Sequence, residues 1–359
     1  MIASVIVNYF GHRLVQSAAE SLLRDRPDME VIVVDNSMDA EESRQLRQVL
    51  DSRVKVITND CNTGFGAACN TGISSTQAEF IMLLNPDTQV RAGCMDKLQA
   101  ALASNPALGA VSPVQLWEPA GHWKLPPAWL PSGVEMWCIE QAWRSRKVAA
   151  KMSNAYRNLA LRIWRPDNSA QLIPQRALSG GAMLLRRSAA LQNGSAFDPA
   201  FFMYYEDSDL CWRLKKAGWQ LGIVPDAYVL HEWEHTSAKV EFMEKSKQIY
   251  IDKHFAGRGA WQQRTARCMQ ATPLAAPLDC QEHDNSSPAL EVPPAWQNGW
   301  LLEISPSALL IPALGCLGRG PWAEIPVHLT ERLGSGPLYA RIGPDTPVSN
   351  TRLPVFRLV

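Results

Sequence analysis

Ser4-Val-Ile-Val-Asn8 and Glu30-Val-Ile-Val-Val-Asp35 decide the fold. Both runs are short, apolar and rich in β-branched residues, and each closes on a polar residue, as strands buried on both faces do. Between them Leu14, Ala18 and Leu22 recur at helical spacing until Arg26-Pro27 breaks the pattern. Strand, helix, strand is a βαβ unit. The alternation continues: Leu46, Val49 and Leu50 mark a helix, Val54-Lys-Val-Ile-Thr58 a strand, Gly64 to Thr76 a helix and Phe80-Ile-Met-Leu-Leu84 a fourth strand. The expected fold class is α/β, a doubly wound, mostly parallel sheet flanked by helices, with ligands at the carboxyl ends of its strands. Those ends carry Asn8, Asp35-Asn36-Ser37, Asn59-Asp60 and Asn85-Pro-Asp87. Turn and N-cap preferences account for any one of them, but four at the same topological position point to a binding edge.

The 359 residues are 46% hydrophobic and 19% charged, enough for a large core. The 35 basic and 35 acidic side chains cancel, which removes the positive field that nucleic-acid binding uses. No apolar stretch reaches the ~20 residues that span a bilayer, and Ile2 to Val7 is too short for a secretory leader, so a cytoplasmic location is expected. Eight cysteines form no CxxC pair, which predicts reduced thiols.

Residues 117–174 read as a helical or irregular insertion, with Pro119, Pro126, Pro127 and Pro131 interrupting any regular element. Within it, Trp143 to Arg165 carries Arg144, Arg146, Lys147, Lys151, Arg157, Arg162 and Arg165 without one acidic residue, interleaved with Trp143, Tyr156 and Trp164. Such a helix either lies on an anionic membrane surface or is a solvated helix packing Ala149, Leu159 and Ile163 inward. Patterning returns with a strand at Ala182 to Arg186, a helix from Ser208 to Ala217, a strand at Gln220 to Val224, and a helix capped by Thr236 or Ser237 that runs to Phe255. The expected organisation is a main domain over 1–256, a linker over 257–292 and a small β-rich appendage over 293–359.

Three constellations could carry chemistry. Tyr205-Glu206-Asp207-Ser-Asp209 places three carboxylates within four residues, after an aromatic run, at a helix start. Mutual repulsion and desolvation would raise one pKa and make a general base; alternatively Asp207 or Ser208 caps the helix and Asp209 favours its dipole. Asn85-Pro-Asp87-Thr88 is a stiff turn with one oxygen ligand for a hard cation. Asn62-Thr-Gly64-Phe-Gly66 would let a ligand approach backbone amides, although neither GxGxxG nor a Walker A sequence is present. His231-Glu-Trp-Glu-His235 matches HExxH literally, but the preceding Ile223 to Leu230 looks extended and contains Pro225, against the helix that a zinc protease requires.

Together these pieces resemble the family 2 inverting glycosyltransferases of the GT-A fold, especially the bacterial rhamnosyltransferase-like branch. The resemblance covers residues 2 to 255 and rests on Val5 to Tyr9, Val33 to Ser37, Asn62 to Asn70, Leu84 to Thr88, Leu178 to Arg186, Tyr205 to Arg213, and His231 with Ser237. It implies that Asn8, Asp35, Asn36, Asn62, Gly64 and Asn70 hold the nucleotide. It also implies that Asn85 and Asp87 replace the family's DxD motif, with Asp87 and His231 binding Mn2+ or Mg2+, and that Ser179-Gly180-Gly181 shapes the sugar site. Asp207 corresponds to the catalytic base, with Glu206 as its supporting neighbour. The implied reaction moves a sugar from a dTDP- or UDP-sugar to a hydroxyl of a glycan or lipid-linked acceptor in bacterial surface polysaccharide synthesis, with peripheral inner-membrane contact through residues 143–165. The competing readings are an inactive sugar-binding module of the same fold and a nucleotidyltransferase.

Overall fold

Hydrophobic periodicity sets the amino-terminal half. The computed structural model describes residues 1–166, 171–233, 239–256, 272–284, 289–326, 330–334, 336–349 and 351–358. Strands β1 (Ile2–Asn8), β2 (Glu30–Asp35), β3 (Lys55–Thr58) and β4 (Phe80–Leu84) alternate with helices α1 (His12–Asp25), α2 (Ala40–Val49) and α3 (Phe65–Ser74). The four strands run parallel in the order β3-β2-β1-β4. Asn8 and Asp35 are register partners, as are Asp35 and Thr58, so the polar strand ends align along one edge.

Next come β5 (Thr88–Val90), α4 (Cys94–Ser104), β6 (Leu108–Leu116), β7 (Trp123–Lys124), α5 (Gly133–Ala142), α6 (Arg146–Trp164), β8 (Ile173–Gln175), β9 (Ala182–Arg186), α7 (Arg187–Ala190), α8 (Glu206–Lys216), β10 (Gln220–His231) and α9 (Lys239–Phe255). The parallel order is broken where β9 enters antiparallel between β4 and β6, while β10 lies parallel to β6 and antiparallel to β5. The sequence pattern did not single out α4 or β6: Gly109, Ser112 and Pro113 interrupt β6, yet seven of its first residues are buried beneath both faces. β10 extends seven residues beyond the expected Val224 and carries Pro225 at a register shift between Val224 and Tyr228. The proposed Thr236 and Ser237 caps lie outside the described residues.

The carboxyl-terminal strands are β11 (Cys280–His283), β12 (Ala289–Glu291), β13 (Trp300–Ser305), β14 (Leu314–Gly318), β15 (Trp322–Glu324), β16 (Leu338–Pro344) and β17 (Val355–Leu358). They correct the expected boundaries. β11 and β12 lie inside the stretch read as linker, and β14 pairs with β7, so one continuous sheet joins both halves. Gly315 makes the join possible: a Cβ there would lie 2.0 Å from Trp164 Cζ3.

α6 is the internal wall between the halves, which corrects the membrane-lying reading for its aromatic face. Tyr156 and Trp164 are buried and donate to the carbonyls of Pro127 (2.9 Å) and Leu125 (3.1 Å). Arg157 is fully buried, with Nε 3.3 Å from Glu303 Oε2. Arg341 reaches the same carboxylate in bidentate fashion, Nε at 2.7 Å and Nη2 at 2.9 Å. Asn158 and the backbone of Val348 exchange hydrogen bonds of 2.6 and 2.9 Å. Arg165 docks on Asp345. Among the described residues no helix is long and apolar enough to cross a membrane. Replacing Glu303 would leave two buried guanidinium groups without their carboxylate, and breaking such a site costs roughly 3–5 kcal/mol. Glu303→Gln should therefore lower the denaturation midpoint sharply in a denaturant titration; an unchanged midpoint would show that α6 docks by shape alone.

Candidate active site

The antiparallel pairing of β10 with β5 brings His231 opposite Thr88. This register, rather than any helix, places the His231 ring against the Asn85-Pro-Asp87 turn: Nε2 stands 3.2 Å from Asp87 Oδ1. The HExxH reading fails here because His231 ends a strand; His235 is outside the described residues. Gln115, near the end of β6, holds the ring from behind, with Oε1 2.8 Å from Nδ1. An amide oxygen accepts, so Nδ1 donates, and Nε2 is the ring nitrogen that faces the turn. His231 is buried, and Nε2 has no hydrogen-bond partner among the described residues. A ring nitrogen and a carboxylate oxygen 3.2 Å apart are close enough to share a cation, and oxygen and imidazole donors suit Mn2+ or Mg2+ completed by phosphate and water. No cluster of three or more side-chain ligands exists among the described residues.

The Ser179-Gly180-Gly181 turn ties this corner to the acidic block. Gly181 packs between Asn85 and His231: a Cβ there would lie 2.8 Å from the His231 Cε1 and 3.2 Å from Asn85 Nδ2. Its carbonyl accepts from Asn85 N (2.9 Å), and its own N–H donates to Ser179 Oγ (3.2 Å). The neighbouring Gly180 N–H donates to Asp207 Oδ2 at 3.1 Å. Asn85, Asp87, His231, Ser179, Gly180, Gly181, Glu206 and Asp207 thus converge on one corner.

The chain enters α8 through Tyr204 and Tyr205, both left-handed at φ 69° and 64°. Two consecutive non-glycine residues in that region store strain, held here by tertiary packing. They aim the two acids differently. Glu206 is buried with Oε2 unpartnered, and desolvation, reinforced by the charge of Asp207, pushes its pKa up. Desolvation also raises Asp207, against the pull of hydrogen bonds from Gly180 N and Ser208 N, the latter at 2.6 Å. Both acids are thus pushed up by desolvation, and the pair shares a proton into the neutral range. Asp209, two residues on, has the opposite fate. Burial opposes its charge, but His254 (2.8 Å), Lys253 (2.7 Å) and Arg213 (2.8 Å) surround it and hold it at about 2.

Several residues expected to touch the nucleotide are hydrogen-bonded within the chain. Asn8 is fully buried: its Nδ2 donates to Asp35 Oδ1 (3.1 Å) and Glu42 Oε1 (3.0 Å), and its Oδ1 accepts from Gly11 N (3.0 Å). Asp35 is likewise buried; burial alone would raise its pKa, yet hydrogen bonds from Ser43, Ser37 and Asn8 outweigh it and lower it. Asn70 spends both ends of its amide on the Phe197 backbone, at 2.8 and 3.0 Å. Gly64, at φ 79°, is needed because a Cβ would lie 2.1 Å from the Phe202 carbonyl oxygen. Asn36 donates to Asn62 (2.8 Å) and accepts from Asn59 (3.0 Å) and Thr63 N (3.2 Å), fixing the loop before α3. Sequence reasoning missed Gln115; its one visible signal is a polar residue at the end of an apolar run.

Comparison with known proteins places this arrangement. Residues 4–172 match the family Glycosyl transferase family 2. The N-acetylglucosaminyl-diphospho-decaprenol L-rhamnosyltransferase of Mycobacterium tuberculosis H37Rv is 31% identical over 255 residues, 66% of this chain and 79% of that protein. Rhamnosyltransferase WbbL of Escherichia coli K12 is 40% identical over 75 residues, 21% of this chain and 28% of that one. Among solved structures, GalNAc-T7 with UDP, GalNAc and Mn2+ aligns at a TM-score of 0.48 and 16% identity, over 73% of this chain and about half (51%) of that one. The mannosyltransferase PcManGT from Pyrobaculum calidifontis, in complex with GDP-Man and Mn2+, aligns at 0.44 and 13% identity, over 75% and 74% of the two chains. The chain belongs to glycosyl transferase family 2 and is a glycosyltransferase of the GT-A fold.

Proposed function

We propose that the protein is an inverting transferase in which Asp207 is the base and Asp87 with His231 anchors a nucleotide-diphosphate sugar. The observation that carries this reading is the glycine turn joining the two groups, with Asp207 hydrogen-bonded to Gly180 and His231 packed on Gly181. A dTDP- or UDP-sugar is the proposed donor. Rhamnose as the sugar and a lipid-linked glycan as the acceptor follow the names of the relatives above.

Asp207 takes the proton of an acceptor hydroxyl as that oxygen bonds to the anomeric carbon, while the bond to the diphosphate oxygen breaks on the opposite face and the configuration inverts. Glu206 stays protonated, so the pair carries one negative charge in place of two and the acceptor meets a single base. The Gly180 and Ser208 amides hold both Asp207 oxygens in place. Asp87 Oδ1 and His231 Nε2 would hold Mn2+ or Mg2+, whose charge neutralises the departing diphosphate when bound. Gln115 fixes the ring and its tautomer from behind.

Asp207→Asn should cut turnover by about 10²–10⁴-fold while nucleoside-diphosphate affinity stays near wild type, measured by product release and equilibrium binding; an active variant would remove the base from this position. The released product should be a nucleoside diphosphate, since pyrophosphate would mark a nucleotidyltransferase. Gln115→Leu should weaken Mn2+ affinity about 10–100-fold in a metal titration monitored by paramagnetic resonance, and Asp87→Ala should abolish it.

Glu206 also makes a pH prediction. Its pKa is raised by folding, so its contribution to stability is full below the ordinary glutamate range and is lost as pH rises through the raised value. Glu206→Gln should accordingly flatten the decline of the melting temperature between about pH 5 and 9; parallel curves for variant and wild type would contradict the assignment.

A further inference from the structure

α6 and the carboxyl-terminal strands enclose a second cavity of about 310 Å³, and none of its lining residues belongs to the site described above. Its floor is apolar, with Ala150, Leu278, Leu353 and Val355. Its walls are basic. Lys147 and Lys151, one turn apart on α6, are exposed and make no ion pair with any described residue. Arg146 and Arg352 share one carboxylate, Asp279, with Arg352 at 3.6 Å. Arg341, also on the wall, is buried and shares Glu303 with the buried Arg157. Five cations thus line the cavity beside one lining carboxylate, Asp279, while Glu303 and Asp345 face Arg157 behind the wall.

The excess points one way. Positive charge buried beneath the wall cannot be relieved by solvent as a surface lysine can, so it projects into the cavity. α6 begins at this wall, and Ser145 makes no side-chain cap to its first amides, which leaves the positive end of a 19-residue helix dipole there. Guanidinium forks and ammonium groups around a hollow of this size match a doubly charged tetrahedral oxyanion, and the apolar floor matches an organic group attached to it. We propose that this cavity binds a phosphate-bearing ligand. That chemistry is shared by a soluble phosphorylated compound and by the headgroup of an anionic phospholipid, and it gives a place to the basic run in residues 143–165 that the buried aromatic face of α6 does not.

The full chain would be tested with two probes in buffer containing EDTA: pyrophosphate by calorimetry, and phosphatidylglycerol vesicles by co-sedimentation. The double variant Lys147→Gln, Lys151→Gln alters only exposed side chains, and Arg162→Gln, exposed on the same helix but outside the cavity, is the control. The double variant should weaken the binding of at least one probe by about tenfold or more, with the control and the rate of sugar transfer unchanged. Binding of pyrophosphate alone identifies a soluble ligand, and binding of vesicles identifies a headgroup. The proposal is overturned if neither probe binds, if the double variant binds as wild type does, or if the control loses as much. It is also overturned if pyrophosphate binding disappears in Asp87→Ala instead, which would place that anion in the active site.

Discussion

The absence of two side chains at Gly180 and Gly181 is the constraint on which the active corner depends. Three segments far apart in sequence must meet there: the turn after β4, the end of β10 and the start of α8. A Cβ at Gly181 would stand 2.8 Å from the His231 ring, and one at Gly180 would press on the Asp207 Cβ at 3.4 Å. The first distance is closer than any side chain tolerates against a ring locked by Gln115, so even alanine at 181 would push His231 off Asp87. The backbone exposed by the missing side chains is also used, since Gly180 N–H and the Gly181 carbonyl bind Asp207 and Asn85. Close approach and hydrogen bonding are two results of one choice of residue.

Electrostatics then separates carboxylates that composition treats alike. Glu206, Asp207 and Asp209 lie within four residues, but helical geometry points Asp209 away toward α9, where Lys253 and His254, with Arg213 of α8, surround it and hold it ionised. Glu206 turns into the apolar interior beside α3, finds no partner for Oε2, and desolvation there raises its pKa. Asp207 is left to the backbone donors of Gly180 and Ser208. The left-handed pair Tyr204-Tyr205 sets this division, because it fixes the angle at which the helix begins. Asp209 would be costly to bury without these partners, and its contacts with Lys253 and His254 anchor α9 over the acidic block.

Much of the amino-terminal fold was legible because short β-branched runs and helical spacing alternate there without interruption. β6 was not, since Gly109, Ser112 and Pro113 erase the period that a strand normally shows, and its identity comes from pairing with β9 and β10. The catalytic corner was legible as a set of residues but not as a division of labour. Asn8, Asp35 and Asn70 look in sequence like ligand-facing polar residues, and only their hydrogen bonds reveal that each is spent within the chain. Gln115 was invisible for the complementary reason: a lone glutamine at a strand end carries no motif, and its partner lies 116 positions away.

The basic segment before Arg165 shows why residue type alone misjudges a helix. Arginine and lysine differ here in where their charge goes. Arg157 is wholly enclosed, and burial together with the nearby Arg341 lowers its pKa to about 10, a fall that Glu303 limits. Its guanidinium also donates to the carbonyls of Thr346 and Pro344. The lysines of the same helix remain at the surface, where a single ammonium keeps its hydration. A buried Arg-Glu-Arg arrangement adds little stability over an apolar seam of similar volume, but it tolerates few alternative registers. Because Arg341 must reach Glu303 and Ser153 together, α6 can seat against β13 and β16 in only one position. That position in turn fixes β7 against β14 and carries the sheet from the catalytic half into the carboxyl-terminal strands.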